Sequence, residues 1–205
     1  IQEKDYDGVP KIKELFYSPE NDKYILYEEC IQGYTIESML SKGTCFGKKF
    51  VIKMATALCN ILKPIHNDNL IHRDISPNNV MYSQIEDKFY LIDFGNSRLN
   101  KINTPKDTVF AGTPIFMAPE QGGVGTQSDN RTDIYAIGML MKFMLTKNTT
   151  DKKSKIRGRL GKIIKKCTQS EMASRYKNVD KLKFKLSMIK VDDFLFPFKM
   201  YLYIL

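Results

Sequence analysis

Residues 70–95 constrain this chain more than any other stretch. They read Leu-Ile-His-Arg-Asp-Ile-Ser-Pro-Asn-Asn-Val-Met-Tyr, a polar turn over 83–88, then Phe-Tyr-Leu-Ile-Asp-Phe-Gly. Asp74 follows the apolar pair Leu70-Ile71, Asn79 lies five residues further on, and Asp93 closes the apolar run 89–92. Two strand-like runs either side of a polar turn predict a hairpin, which brings Asn79 and Asp93 together. Two oxygen ligands and a third carboxylate in one cleft suit a hard cation such as Mg²⁺ beside phosphate.

His72-Arg73-Asp74, with Asn79 after it, resembles the catalytic loop of eukaryotic-type protein kinases. Asp93-Phe94-Gly95 resembles their metal-binding tripeptide, and Ala118-Pro119-Glu120 the end of their activation segment. The three parts stand in family order, with Asp93 nineteen residues after Asp74 and Glu120 twenty-seven after Asp93. A chance run of turn residues does not reproduce that order. The chain thus resembles a Hanks-type serine/threonine protein kinase catalytic domain of bacterial style, lacking most of the small lobe. The resemblance implies an α+β fold: 1–27 a remnant of the β small lobe, 28–33 the hinge, 34–190 a mainly helical large lobe, and 191–205 an apolar tail. It further implies ATP and Mg²⁺ as cofactors and Ser/Thr hydroxyls of proteins as acceptors.

Roles carried over by resemblance are specific. Asp74 would accept or orient the substrate hydroxyl proton. Asn79 and Asp93 would hold Mg²⁺ on the phosphates. Backbone groups of Glu28 and Cys30 would meet the adenine edge, with Tyr27 behind it as gatekeeper and Met81 beneath it. Thr113, in a loop of the Ser/Thr-kinase type, would bond Asp74. His72 and Phe94 would pack between the lobes, beside Gly95. Asp133 would tie down the catalytic-loop backbone, and Arg175 would pair with Glu120. Arg73 would receive phosphate from the polar segment 96–109, where Thr104 and Thr108 are candidate phosphosites. Each has a plainer counterpart: an ordinary strand-to-helix connection at 28–33, a helix N-terminal carboxylate at 133, solvated threonines in a loop.

Elsewhere periodicity guides the reading. Residues 9–17 and 24–27 are strand-like around a turn at 18–22. Residues 35–40 predict a short helix with Thr35 as N-cap. Phe50, Met54, Leu58, Ile61 and Ile65 recur at three- and four-residue steps, which predicts an amphipathic helix over 46–67, weakened near Pro64. His66 reads as structural, with no acidic partner at a telling spacing. Residues 131–145 are apolar nearly all round and predict a core helix. Helices are predicted over 160–167 and 178–189.

Two departures from the family pattern stand out. Ser76 occupies the position where a Lys usually neutralises the transferring phosphate. No Gly-rich loop, strand Lys or partner Glu precedes Val9, so this stretch alone is expected to transfer phosphate poorly. The chain starts at Ile1 and reads as an internal fragment without a signal peptide. Two other classes stay open: a non-catalytic pseudokinase or kinase fragment serving as an interaction module, and a small-molecule phosphotransferase of the aminoglycoside or choline kinase type. The loop at Gly112-Thr113, the Ala118-Pro119-Glu120 tripeptide and Asp133 favour a protein kinase over the latter.

The net charge of +9 is concentrated in residues 142–190, with 16 Lys and Arg against 3 Asp and Glu. Without interleaved aromatics it reads as a solvated basic face, and no nucleic acid is expected. Cys30, Cys45, Cys59 and Cys167 show no C-x-x-C spacing, so neither disulfides nor a zinc site is expected and the cytoplasm is the expected location. The apolar residues 194–205 are shorter than the about 20 that a spanning helix needs. They could touch a membrane or dock as a strand.

Overall fold

The computed structural model describes residues 4–99, 112–122, 127–146 and 156–189. Thr104, Thr108 and the tail at 191–205 lie outside them.

The chain opens with an antiparallel hairpin, β1 (Ile12–Ser18) and β2 (Lys23–Glu28), in which Phe16 faces Ile25 and Leu15 faces Leu26. β1 begins at Ile12 and not at Val9 because Pro10 has no N–H to give a ladder. Val9 instead turns inward and is buried, its N–H closing a turn onto Tyr6 O. The hairpin leaves Leu15, Phe16, Tyr24, Leu26 and Tyr27 exposed.

The remaining elements form one helical body. β3 (Tyr34–Thr35) leads into α1 (Ile36–Ser41), and Thr35 Oγ1 caps that helix by accepting the Ser38 N–H at 3.0 Å, as its sequence predicts. α2 (Lys48–Asn67) is the central helix and packs against the later helices α3 and α5 and strand β6. Its inward stripe, Val51, Met54, Leu58, Ile61, Leu62 and Ile65, is buried at the predicted spacing. The helix runs through Pro64 to Asn67, and its last turn is closed by Asp68 N on Pro64 O and Asn69 N on His66 O. Pro64 therefore does not end the helix early.

β4 (Leu70–Ile71) pairs with β7 (Arg98–Leu99), and β5 (Val80–Ser83) pairs with β6 (Lys88–Leu91) in the hairpin that the sequence predicts. β5 is the middle strand of the sheet β3-β5-β6.

α3 (Asn130–Thr146) is buried nearly all round, by Thr132, Asp133, Ile134, Ile137, Leu140, Met141 and others. Its Gly138 permits close approach of α4 (Gly158–Cys167): a Cβ at 138 would stand 2.5 Å from Cys167 Cβ. α5 (Val179–Ser187) closes the body, with Asn178 capping it through the Lys181 N–H at 3.0 Å. The mixture of a helical body and small sheets is the protein-kinase architecture that the motifs imply. No helix of the described residues is long and apolar enough to cross a membrane.

Candidate active site

The site is built where β4, the β5–β6 hairpin, the segment at 112–122 and the start of α3 converge. β4 ends at Ile71, and the chain then turns sharply through His72, Arg73 and Asp74. Arg73 has φ of 69° and Asp93 of 60°, two left-handed residues at the two ends of the motif stretch. For a long side chain such as Arg that conformation is strained and persists only where neighbours over-determine it.

Those neighbours are present. Asp133, wholly buried at the start of α3, accepts the His72 N–H at 3.0 Å through Oδ2 and the Arg73 N–H at 2.9 Å through Oδ1. Oδ2 also meets His66 Nε2 at 2.8 Å. His66 thus has the acidic partner that sequence spacing did not reveal, because the pair spans two helices 67 residues apart. Burial alone would push the Asp133 carboxyl up. The hydrogen bond from His66 and the Arg73 N–H outweigh it and hold the group below the usual carboxylate range.

His72 is fully buried and packs edge-on against Phe94, with ring centroids 4.5 Å apart. Its Nε2 lies 3.2 Å from Ile92 O, and its Nδ1 accepts the Asp74 N–H at 3.3 Å. An accepting Nδ1 and a donating Nε2 define the neutral ring. Burial, which lowers the pKa of His72, favours the same state.

Asp74 carries three donors. Oδ1 accepts Thr113 N at 2.8 Å and Thr113 Oγ1 at 2.9 Å, and Oδ2 accepts Asn96 Nδ2 at 3.0 Å. The predicted Thr113–Asp74 contact is therefore present, and Asn96 is a partner that the motif reading missed. Asn79 Nδ2 donates to the Asp74 carbonyl at 2.9 Å, which leaves its Oδ1 as the atom for a cation. The hairpin brings Asn79 and Asp93 together through Ile92 N on Asn79 O at 2.9 Å. Asp93 is exposed, with Oδ1 on the Gly95 N–H at 3.0 Å and no hydrogen-bond partner for Oδ2 among the described residues. An amide oxygen and a carboxylate oxygen beside Asp74 fit the oxygen preference of Mg²⁺.

Met81 sits in the middle strand, paired with Thr35 and Tyr90. Glu28 ends β2, and Cys30 is exposed just beyond it. Although Glu28 is largely exposed, partial loss of hydration and then the negative charge of Asp93 push its carboxyl pKa up. The end of the hairpin and Asp93 thus share one electrostatic neighbourhood. Tyr27 is 54% exposed. Ser76 is fully buried, and its hydroxyl has no hydrogen-bond partner among the described residues.

Glu120 and Arg175 form the expected pair, with two parallel contacts of 2.7 Å. The other guanidinium donors reach Gln169 O, Ser170 O and Arg131 O at 2.8, 3.0 and 3.1 Å. All five N–H groups are occupied. Thr132 Oγ1 adds a further bond to Glu120 at 2.8 Å. A buried bidentate pair of this kind fixes the geometry of three segments at once.

A helical body with this loop, hairpin and bidentate pair has the architecture of a protein-kinase domain. A match to the protein kinase domain family covers residues 3–192, and the chain belongs to that family. It is 26% identical to serine/threonine-protein kinase B of Synechocystis sp. over 90% of this chain and 36% of that protein. Serine/threonine-protein kinase D of the same organism is 30% identical over 84% of this chain and 37% of its own length. A serine/threonine-protein kinase of Saccharomyces cerevisiae is 34% identical over 64% of this chain and 12% of its length. The chain thus spans little more than a third of the two Synechocystis relatives.

Proposed function

We propose that this chain supplies the phosphate-transferring lobe of a serine/threonine protein kinase, moving the γ-phosphoryl group of ATP to Ser or Thr hydroxyls of protein substrates. The observation that carries the reading is the Asp74 carboxylate held by Thr113, with Asn79 anchored on the Asp74 carbonyl. Asp74 orients the incoming hydroxyl and takes its proton. Asn79 Oδ1 and the Asp93 carboxylate would hold Mg²⁺, which when bound would neutralise phosphate charge. In this reading 1–27 belongs to the small lobe, 28–33 is the hinge with Glu28 and Cys30 at the adenine edge, and 34–190 is the large lobe with Met81 under the base. The four free cysteines suit the reducing cytoplasm.

Asp74→Asn in the full-length protein should lower turnover by about 10²–10⁴ while ATP affinity holds. Asp93→Ala should abolish the Mg²⁺-dependent thermal stabilisation by ATP. Parent-like turnover in the first variant removes Asp74 from the chemistry.

A second reading has one observation of its own. The buried, uncharged Ser76 offers no cation for the transferring phosphate, which suits a pseudokinase acting as an interaction module. Nucleotide binding without Asp74-dependent transfer in the full-length protein would select it.

A further inference from the structure

Gln121 follows the Ala118-Pro119-Glu120 tripeptide, and the motif reading gives it no part. Its side chain is nonetheless buried at 3% exposure, and both ends of its amide are engaged. Oε1 accepts the Ala118 N–H at 2.9 Å, and Nε2 donates to the carbonyl oxygen of Arg73 at 2.7 Å. The backbone closes the same turn, with Gln121 N donating to Ala118 O at 2.9 Å.

The Arg73 carbonyl belongs to the peptide unit that leads into Asp74. The N–H of that unit is held from the opposite side by His72 Nδ1. A peptide is planar and stiff, so fixing its oxygen and its nitrogen fixes its rotation. Asp74 projects directly from that plane. The restraint matters because Arg73 is left-handed, a state that the loop does not hold without support. Gly112 is pressed onto the same joint: a Cβ there would lie 2.9 Å from Arg73 O and 3.3 Å from Gln121 Nε2, at a φ of 122°.

We propose that Gln121 is a positioning residue for phosphoryl transfer: through the Arg73 carbonyl it sets the peptide plane that aims the Asp74 carboxylate, and it makes that aim depend on docking of the segment around 118–121. The proposal rests on the kinase reading above. When the segment leaves, Arg73 O loses a buried donor, and the strained turn loses one of its restraints. The aim of the Asp74 carboxylate then relaxes.

The test uses Gln121→Met, which keeps the side-chain length without the amide, and Gln121→Glu, which keeps the shape. In the full-length protein Gln121→Met should lower kcat by about 10- to 100-fold, with KM for Mg·ATP within about twofold of the parent. An ionised Glu at 121 sets oxygen against the Arg73 carbonyl, whereas a protonated Glu donates to it. Gln121→Glu should therefore match Gln121→Met at pH 8 and regain turnover relative to the parent towards pH 6. Backbone hydrogen exchange over residues 72–75 should be about tenfold faster in Gln121→Met.

Parent-like turnover with unchanged exchange at 72–75 would overturn the proposal. So would a loss that tracks the folded fraction or ATP affinity and shows no recovery in Gln121→Glu at low pH. If the parent itself transfers no phosphate, the kinase reading fails. The exchange rates then decide the Gln121 restraint alone, unchanged rates overturning it.

Discussion

Asp133 Oδ1 holds the backbone N–H of Arg73 at 2.9 Å, across 60 residues of sequence. A fully buried carboxylate is usually a liability, yet this one is surrounded by the donors that make it tolerable. Asp133→Ala would strand the His72 and Arg73 N–H groups and His66 in the core. Each unpaired buried donor costs about 1–3 kcal/mol, so unfolding stability should fall by about 3–5 kcal/mol, the usual result of breaking a buried charged contact. An unfolding free energy from urea titration within about 0.5 kcal/mol of the parent, the range of an ordinary surface substitution, would show that the loop holds itself.

Arg175→Lys should be far from conservative. Lysine has three donors on a point charge, and cannot reproduce two parallel bonds to Glu120 plus three carbonyl contacts. The expected loss is about 2–4 kcal/mol, somewhat below full removal of one partner of a buried pair. Denaturant titration measures it. Glu120→Gln in the same background should add less than its own separate cost, since the two residues share one contact.

pH should act on the loop through His72. Its folded-state pKa is lowered by burial from 6.5, so the unfolded chain takes up a proton first as pH falls. Stability from the neutral ring is complete above about pH 6.5 and declines below it, down to the folded-state value. The slope of stability between pH 7.5 and 5.5 should shrink in His72→Asn. In the folded parent the ring should keep the signals of the Nε2-protonated neutral form as pH passes 6.5. A ring that titrates at 6.5 or higher contradicts the prediction.

Ser76→Ala should leave stability unchanged or raise it by about 1 kcal/mol. The Ser76 hydroxyl is buried without a partner among the described residues, and removing an unsatisfied polar group relieves its desolvation cost. Thermal denaturation of the two proteins reads the difference. A clear loss would mean that the hydroxyl is engaged in solution.

Much of this arrangement is legible in the sequence. The hairpin carrying Asn79 and Asp93, the central stripe of α2 and the apolar α3 follow from local pattern, since each depends on residues a few positions apart. The Thr113–Asp74 and Arg175–Glu120 contacts came from the family resemblance and stand in the structure. The partnerships of His66, Asn96 and Gln121 were not legible. Each joins segments brought together only by tertiary packing, and no periodicity records a contact across 67, 22 or 48 residues. The left-handed turns at Arg73 and Asp93 escaped for a related reason. Local propensity argues against the one at Arg73, and contacts from Asp133 and Gln121 help to hold it.

Asp74 has one further consequence. An ionised carboxylate offers about four lone-pair positions, and Thr113 and Asn96 already occupy three. Counted over the described residues, a single position remains for a proton donor in the proposed role. An acceptor hydroxyl and a water molecule must then compete for the same seat. In that role, transfer to protein and wasteful hydrolysis of ATP would be mutually exclusive events, decided by which molecule is seated when the phosphate departs.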